Sequence, residues 1–518
     1  MTGAEILVKT AIKSGIKVCF VNAGTTEIPI LSAFDLIPGI RTVLGLFEGV
    51  CTGAADGYGR MLDKPAMTLL HHGPGFANGI ANLHNARRAG TPLLNIIGDH
   101  ASWHRKADAP LTMDIETLSG TVSGWVKTSK SADTLSKDVA EALSMAMYGQ
   151  ISSLIVPHDF QMSQCASEEI SVTDYRVDHV DSNAIEEAVG LLRGNRKIAM
   201  ILGGRALHKS GLMAAARIKA ATGCMLFAET FPGFMERGCG LPDVERIPYF
   251  PEGAIERLSQ YEAVILAGAK EPVTFFGYKG IPGFILSDYQ RKLTIGNGKE
   301  NVQEALECLA DKLCPKSETK VVKSVLSKLN RPKISAGSLT PYTACAVLAA
   351  TQPEGAVIVD EGLTTILSYY SMTSGLPMFS IMNVTGGAIG YGIPCATGAA
   401  IACPDRPVIN FQADGSAMYT VQGLWTQARE SLNVTTLICS NRSYNILKME
   451  LLRAGITSPG TNACSLIDLD KPPIDWVKVS SGLGVPAVLV DTAEGLAKEL
   501  GRALAEPGPH LIEMMLQE

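Results

Sequence analysis

Pro407-Val408-Ile409-Asn410-Phe411-Gln412-Ala413-Asp414-Gly415-Ser416 is the stretch on which the reading of the fold turns. Its first five residues are a short apolar run leading to a Gly turn, the mark of a buried strand. Met418, Val421, Leu424, Trp425 and Ala428 then recur at helical spacing, which predicts a helix directly after the turn. Thr435-Thr436-Leu437-Ile438-Cys439 is a second strand rich in β-branched residues, and Asn441-Arg442-Ser443 follows it. Asp414 and Asn441 thus fall just past the carboxyl ends of two parallel strands, where open α/β sheets place ligands. Both offer hard oxygen atoms, suited to a magnesium ion that also takes phosphate oxygens. Gly415 lets the backbone approach those phosphates, and the following helix N-terminus favours an anion. An Asp-Gly turn after a strand is also an ordinary turn, so the reading needs a second constellation.

That constellation runs from Asn22 to His100. Val18-Cys19-Phe20-Val21 reads as a strand and is followed by Asn22-Ala23-Gly24-Thr25-Thr26-Glu27. Glu48 opens a helix-like segment that continues to Tyr58. Leu70-His71-His72-Gly73-Pro74-Gly75-Phe76-Ala77-Asn78 and Pro92-Leu93-Leu94-Asn95-Ile96-Ile97-Gly98-Asp99 complete the set. Taken singly, Glu48 is a helix-start acid of the kind the helix dipole favours, and His71 and His72 are loop residues before a Gly turn. Taken in this order and spacing, the four segments resemble the pyrimidine-binding domain of thiamine diphosphate-dependent enzymes, in particular the acetolactate synthases and benzoylformate decarboxylases. The Asp414-Gly415-Ser416 turn with Asn441 resembles that family's diphosphate and magnesium signature. Asn383-Val384-Thr385-Gly386-Gly387-Ala388-Ile389-Gly390-Tyr391-Gly392-Ile393-Pro394 is similar to the Gly-rich segment that precedes it.

The resemblance covers nearly the whole chain and implies an α/β fold of three doubly wound parallel-sheet domains. These would be an N-terminal pyrimidine-binding domain (1–165), a central α/β domain (182–315) and a C-terminal diphosphate- and magnesium-binding domain (336–518). It implies thiamine diphosphate and Mg2+ as cofactors, the metal on Asp414, Asn441 and the Ser443 carbonyl. Thr364, Gly387, Ile389, Asp414, Gly415, Ser416 and Asn441 would touch the organic cofactor. Among them, the Gly387 carbonyl would take its amino group and Ile389 would prop its bent shape. Glu48 would hydrogen-bond the aminopyrimidine, with His71, His72 and Thr25 near the substrate. The implied activity is decarboxylation or carboligation of a small 2-oxo acid, by a transferase or lyase. The cofactor would lie between the first domain of one chain and the third of another, in a homodimer or homotetramer.

Two departures from the acetolactate synthases bear on the substrate, and a third on the metal turn. Acetolactate synthases carry an Ala-Phe-Gln-Glu segment where this chain has Asp108-Ala109-Pro110-Leu111-Thr112-Met113-Asp114-Ile115. His71 matches an active-site His of benzoylformate decarboxylases, where acetolactate synthases have Thr or Ser. Ala413 replaces the family's usual glycine before the metal turn. The first two point towards a benzoylformate decarboxylase-like enzyme. A 2-hydroxyacyl-CoA lyase would need a nucleotide pocket in the central domain. There, Gly203-Gly204-Arg205 either meets a phosphate or ends a strand, and no dinucleotide pattern supports FAD. A non-catalytic regulatory paralogue would be expected to have lost Glu48 or a metal ligand, and all are present.

Composition narrows the remaining classes. The chain has 518 residues, 46% of them apolar, and a net charge of −6 with mixed signs. That balance points away from nucleic acid and anionic membranes. Gly362 to Pro404 carries no charge but is broken by Gly, Pro, Ser and Thr, unlike a membrane span. Thr2 to Glu5 reads as a capping box rather than a signal, and Gly15 ends its helix. The twelve cysteines form no Cys-x-x-Cys pair and read as reduced thiols in a cytoplasmic protein. Gln161 to Asp181 and Lys316 to Ser335 read as connectors. Phe231 to Gly238 and Arg246 to Phe250 read as apolar loops, over the active site or at a subunit contact.

Overall fold

The computed structural model describes residues 1–172, 178–194, 197–296, 300–314 and 319–517. Part of the first connector, Arg196 ahead of the central unit, and residues 316–318 of the second connector lie outside the described residues. The N-terminal helix Gly3–Lys13 begins at a capping box in which Thr2 and Glu5 satisfy each other's backbone N–H groups.

Three sheets follow along the chain. The first contains β1 (Val18–Asn22), β2 (Arg41–Leu44), β3 (Ala66–His71), β4 (Leu93–Asp99), β5 (Trp125–Thr128) and β6 (Ile151–Pro157), in the order β2-β1-β3-β4-β6-β5. All its pairings are parallel. Its strands are apolar on both faces because helices cover both. Cys19, Val21, Met67 and Leu69 pack to one side, and Val18, Phe20, Ala66 and Leu70 to the other. The second sheet holds β7 (Ile198–Leu202), β8 (Met225–Ala228), β10 (Glu245–Arg246), β11 (Ala263–Ala267) and β12 (Arg291–Ile295), in the order β10-β8-β7-β11-β12. The third holds β13 (Val357–Glu361), β14 (Phe379–Asn383), β15 (Val408–Ala413), β16 (Val434–Ser440), β17 (Ala487–Val490) and β18 (His510–Met515). Its order is β17-β18-β16-β15-β13-β14-β9, where β9 (Met235–Arg237) arrives from the central region and pairs antiparallel with β14.

The structure corrects several local expectations. The helix expected after Asp414 is two pieces, Asp414–Ala417 and Gly423–Arg429. Thr420 Oγ1 donates to the Gly390 carbonyl at 2.9 Å, which pins the chain to the Gly-rich segment, and Met418 and Tyr419 turn outward. The Phe231–Gly238 loop contains strand β9, and Arg246 lies in β10. The second connector carries the helix Thr319–Ser324. The first connector is tied to the N-terminal helix by a bridge between Thr2 and Gln164.

The first and third sheets meet through two helices, Glu48–Leu62 and Gly392–Ala402. Glycines make this seam. A Cβ at Gly53 would fall against the Pro394 ring, and one at Gly398 would overlap the Ala54 carbonyl. Arg60 locks the seam: it pairs with buried Asp56 and donates to the Asn383 carbonyl at 2.7 Å and the Tyr391 hydroxyl at 3.0 Å.

Candidate active site

In the third sheet the chain passes from β13 to β14 on one side and returns to β15 on the other. A crevice opens between β13 and β15, as it does wherever such a sheet reverses direction. A small cavity there is lined by Gly362, Thr364, Asp414, Gly415, Asn441 and Ser443 among others, all at or just past the carboxyl ends of β13, β15 and β16. Leu363 holds a left-handed φ of 50° at its mouth, a costly conformation for a branched residue.

Asp414 is 3% exposed. Its Oδ1 accepts from Gly415 N at 2.8 Å and its Oδ2 from Arg442 N at 2.7 Å. Burial nevertheless pushes its pKa up to about 6. Asn441 Oδ1 accepts from Ser443 N at 3.1 Å, and Ser443 Oγ is buried with no hydrogen-bond partner. Thr364 Oγ1 accepts from Asn445 Nδ2 at 3.4 Å. Gly415 lies so close to the Tyr444 ring that a Cβ would come 2.5 Å from it. A buried carboxylate, a side-chain amide and an orphan hydroxyl around one cavity fit a hard divalent cation. Among the described residues no group of three His, Cys, Asp or Glu side chains is placed to hold a metal. A cation here would therefore draw further oxygens from its ligand, as a diphosphate supplies.

The Gly-rich segment is held beside this cavity by Glu361, a fully buried carboxylate at the end of β13. It accepts from Gly390 N at 2.7 Å, Gly392 N at 2.6 Å and Gln412 Nε2 at 2.9 Å. Gln412 Nε2 also donates to Ser416 Oγ at 2.7 Å, which joins the two loops. Asn85 accepts from Gly386 N and Ala388 N on the far side. Gly387 takes a φ of 72° and faces outward, with the Phe275 ring of the central region resting against it. Ile389 is half-buried.

A second set of side chains gathers where the first sheet reverses, between β1 and β3. Glu27 is fully buried. Its Oε2 lies 2.8 Å from His71 Nδ1 and accepts from Gly24 N, and its Oε1 accepts from Thr26 Oγ1 at 2.6 Å. Thr26 Oγ1 lies 3.2 Å from both His71 Nδ1 and His72 Nε2. Glu48, first residue of its helix, accepts from Asn78 Nδ2 at 3.0 Å. A Cβ at Gly75 would lie 3.1 Å from Glu48 Oε1 and 3.5 Å from His71 Cβ, so the two side chains flank one glycine.

The expected site residues therefore fall into two groups. Asp414, Gly415, Ser416, Asn441, Ser443 and Thr364 share the third-sheet crevice, and Glu361 holds Gly390 and Gly392, the continuation of the segment that carries Gly387 and Ile389, beside it. Glu48, His71 and His72 share the first-sheet crevice. Thr25 is exposed, and it is Thr26 that meets the histidines. Sequence reasoning missed Glu361, Glu27 and Asn85. Glu361 closes the strand Val357–Glu361 directly after a second acid, Asp360, so the sequence does not single it out.

The turn that follows β7 in the central sheet is crowded. At the end of β7, Gly203 is crowded by Glu229 and by the backbone of Ala269, and Arg205 pairs with Asp63. Burial pushes Glu229 up to about 7. A carboxylate at this strand end is poorly suited to a nucleotide phosphate.

Comparison with known proteins agrees with this architecture. Residues 1–118 match the model of the thiamine pyrophosphate enzyme N-terminal TPP binding domain, and residues 362–514 match that of the C-terminal TPP binding domain. The chain is 45% identical, over all of its length and 99% of the relative's, to a Mycobacterium tuberculosis protein provisionally named acetolactate synthase large subunit IlvX. The chain belongs to the thiamine pyrophosphate enzymes. Within that family it is also 26% identical to the benzoylformate decarboxylase of Pseudomonas aeruginosa, over 98% of this chain and 97% of that one. Among solved structures, a 4-hydroxybenzoylformate decarboxylase of Rhodococcus jostii superposes with a TM-score of 0.86 at 23% identity, covering 100% of this chain and 99% of the other. This thiamine pyrophosphate enzyme is thus related to both acetolactate synthases and benzoylformate decarboxylases. No helix among the described residues is long and apolar enough to cross a membrane.

Proposed function

We propose that this enzyme acts on small 2-oxo acids, removing CO2 and either releasing an aldehyde or joining the remainder to a second carbonyl compound. The observation that carries the reading is the oxygen-lined crevice at Asp414, Asn441 and Ser443, paired with a second crevice that presents Glu48 and His71. In this reading Asp414, Asn441 and the Ser443 carbonyl hold Mg2+, and Thr364, Gly415 and Ser416 receive the diphosphate. Gly387 and Ile389 position the pyrimidine half. Bound thiamine diphosphate supplies a nucleophilic carbon and an electron sink for loss of CO2. Glu48 passes a proton to and from the pyrimidine ring, and His71 and His72 serve the substrate. Thr25 takes at most a surface role, with Thr26 in its place. The His71–Glu27 pair is what favours decarboxylation with release of an aldehyde, because it sets a proton donor beside Glu48. The crowded Gly203 turn weighs against FAD and against a coenzyme A thioester. Activity in a cytoplasmic homodimer or homotetramer completes the proposal.

Calorimetric titration with thiamine diphosphate and Mg2+ tests the metal assignment. Loss of a direct ligand should exceed the ~10–100-fold typical of outer-sphere changes, so Asp414→Ala should weaken binding by about 100-fold or more. Unchanged affinity would rule the assignment out.

A further inference from the structure

Five of the chain's nine histidines gather at the reversing end of the first sheet. His71 and His72 meet edge to face with ring centroids 4.5 Å apart and share Thr26 Oγ1. His72 is 1% exposed and is held at a left-handed φ of 51°. His100 lies against it at 4.3 Å, and His104 lies 5.5 Å beyond, partly open to solvent. Two nitrogens at the joints of this row, His72 Nδ1 and His100 Nε2, are buried with no hydrogen-bond partner. Buried imidazole nitrogens without a hydrogen bond, one of them on a residue held at a left-handed φ, are costly for a purely structural cluster.

The charged groups facing the row are Glu27 beside His71, Asp99 with its Oδ1 3.5 Å from His72 Nδ1, and Arg105 paired with Asp99 at 2.9 Å. His158 Nδ1 donates to the Thr26 carbonyl from the helix behind. Burial and the adjacent His72 hold His100 below the ordinary imidazole range, so its ring is neutral at pH 7 and free to accept and pass on a proton.

We propose that His72, His100 and His104 form a proton path from solvent to His71. The inference rests on the 2-oxo acid reading and deepens it. When a 2-oxo acid anion becomes an aldehyde and CO2, the bond to the carboxylate breaks and its electron pair stays on the former carbonyl carbon. A C–H bond forms there, so one proton is taken up per turnover. Joining two such acids with loss of one CO2 takes up one proton as well. His71 gives that proton and is left short of one. Thr26 Oγ1 relays a replacement from His72 Nε2, His100 resupplies His72 Nδ1, and His104 takes its proton from water. His72, His100 and His104 are positioning residues that act through His71.

The test uses the full-length enzyme loaded with thiamine diphosphate and Mg2+, comparing wild type with His100→Gln and His104→Ala. Positioned proton-transfer groups contribute ~10²–10⁴-fold, and a relay behind one should contribute less than that, about tenfold. Both variants should lose that factor in kcat with KM nearly unchanged and a larger solvent deuterium isotope effect. Imidazole added to His104→Ala should restore several-fold of the rate. Unchanged kcat in both variants would overturn the path. So would a loss that imidazole does not rescue, matched by a fall in the unfolding temperature. Wild-type enzyme that turns over no 2-oxo acid would instead overturn the parent reading, and the path with it.

Discussion

At the scale of single residues, Glu48 is the sharpest case. In sequence it is one more acid at a helix start; in the structure it flanks Gly75 with His71. Glu48→Gln keeps the shape and the hydrogen bond but cannot carry the proton. It should slow proton exchange at the cofactor's reactive carbon by about 10²–10⁴-fold, read by proton magnetic resonance, while leaving cofactor affinity nearly intact. Exchange at the wild-type rate would make Glu48 a helix-start acid and nothing more. Residues whose position follows from local chain geometry were legible: Asp414 and Asn441 sit at strand ends whatever packs around them. Glu27, Glu361 and the choice of Thr26 over Thr25 were not. Their meaning lies in partners 29 to 51 positions away, such as Gly390 and Gln412 for Glu361 and His71 for Thr26.

At the scale of elements, apolar runs located the strands well, because strands buried on both faces carry little else. Helix continuity was harder. Met418 and Val421 lie on a helical stripe, yet the Thr420–Gly390 hydrogen bond breaks the helix there. The seam between Glu48–Leu62 and Gly392–Ala402 was equally hidden, since its glycines look like helix weakeners rather than contact points. Gly398→Val puts a branched side chain where a Cβ already overlaps the Ala54 carbonyl. Overpacking of this kind costs ~1–3 kcal/mol or more, so the variant should unfold several degrees below wild type by calorimetry. An unshifted transition would show that the seam yields without cost. Its glycines would then need another explanation.

At the scale of the whole molecule, the three-sheet architecture was legible because motifs near both ends belong to one family. The central sheet, which carried no motif, also lends β9 to the third, a pairing between segments more than 140 positions apart. The Asp414 cavity is lined only from the third sheet, whereas Glu48 and His71 stand at the first. Exposed apolar side chains stand near both crevices: Ile28, Leu31 and Leu46 by the first, Met418, Tyr419 and Leu447 by the second. Apolar surface of this kind suits cover by a second chain, in keeping with a proposed site shared between two copies. Mixing inactive Glu48→Gln and Asp414→Ala proteins under conditions of subunit exchange should then restore part of the activity. A fully active monomer would exclude that arrangement. CO2 release from a panel of 2-oxo acids, aromatic and aliphatic, with carbonyl products trapped, tests whether the chain is a decarboxylating enzyme. Release is expected from at least one acid, requiring both thiamine diphosphate and Mg2+ and falling sharply in Glu48→Gln. Protein that binds the cofactor with Mg2+ but releases no CO2 from any acid above the cofactor-free background would contradict the proposed activity.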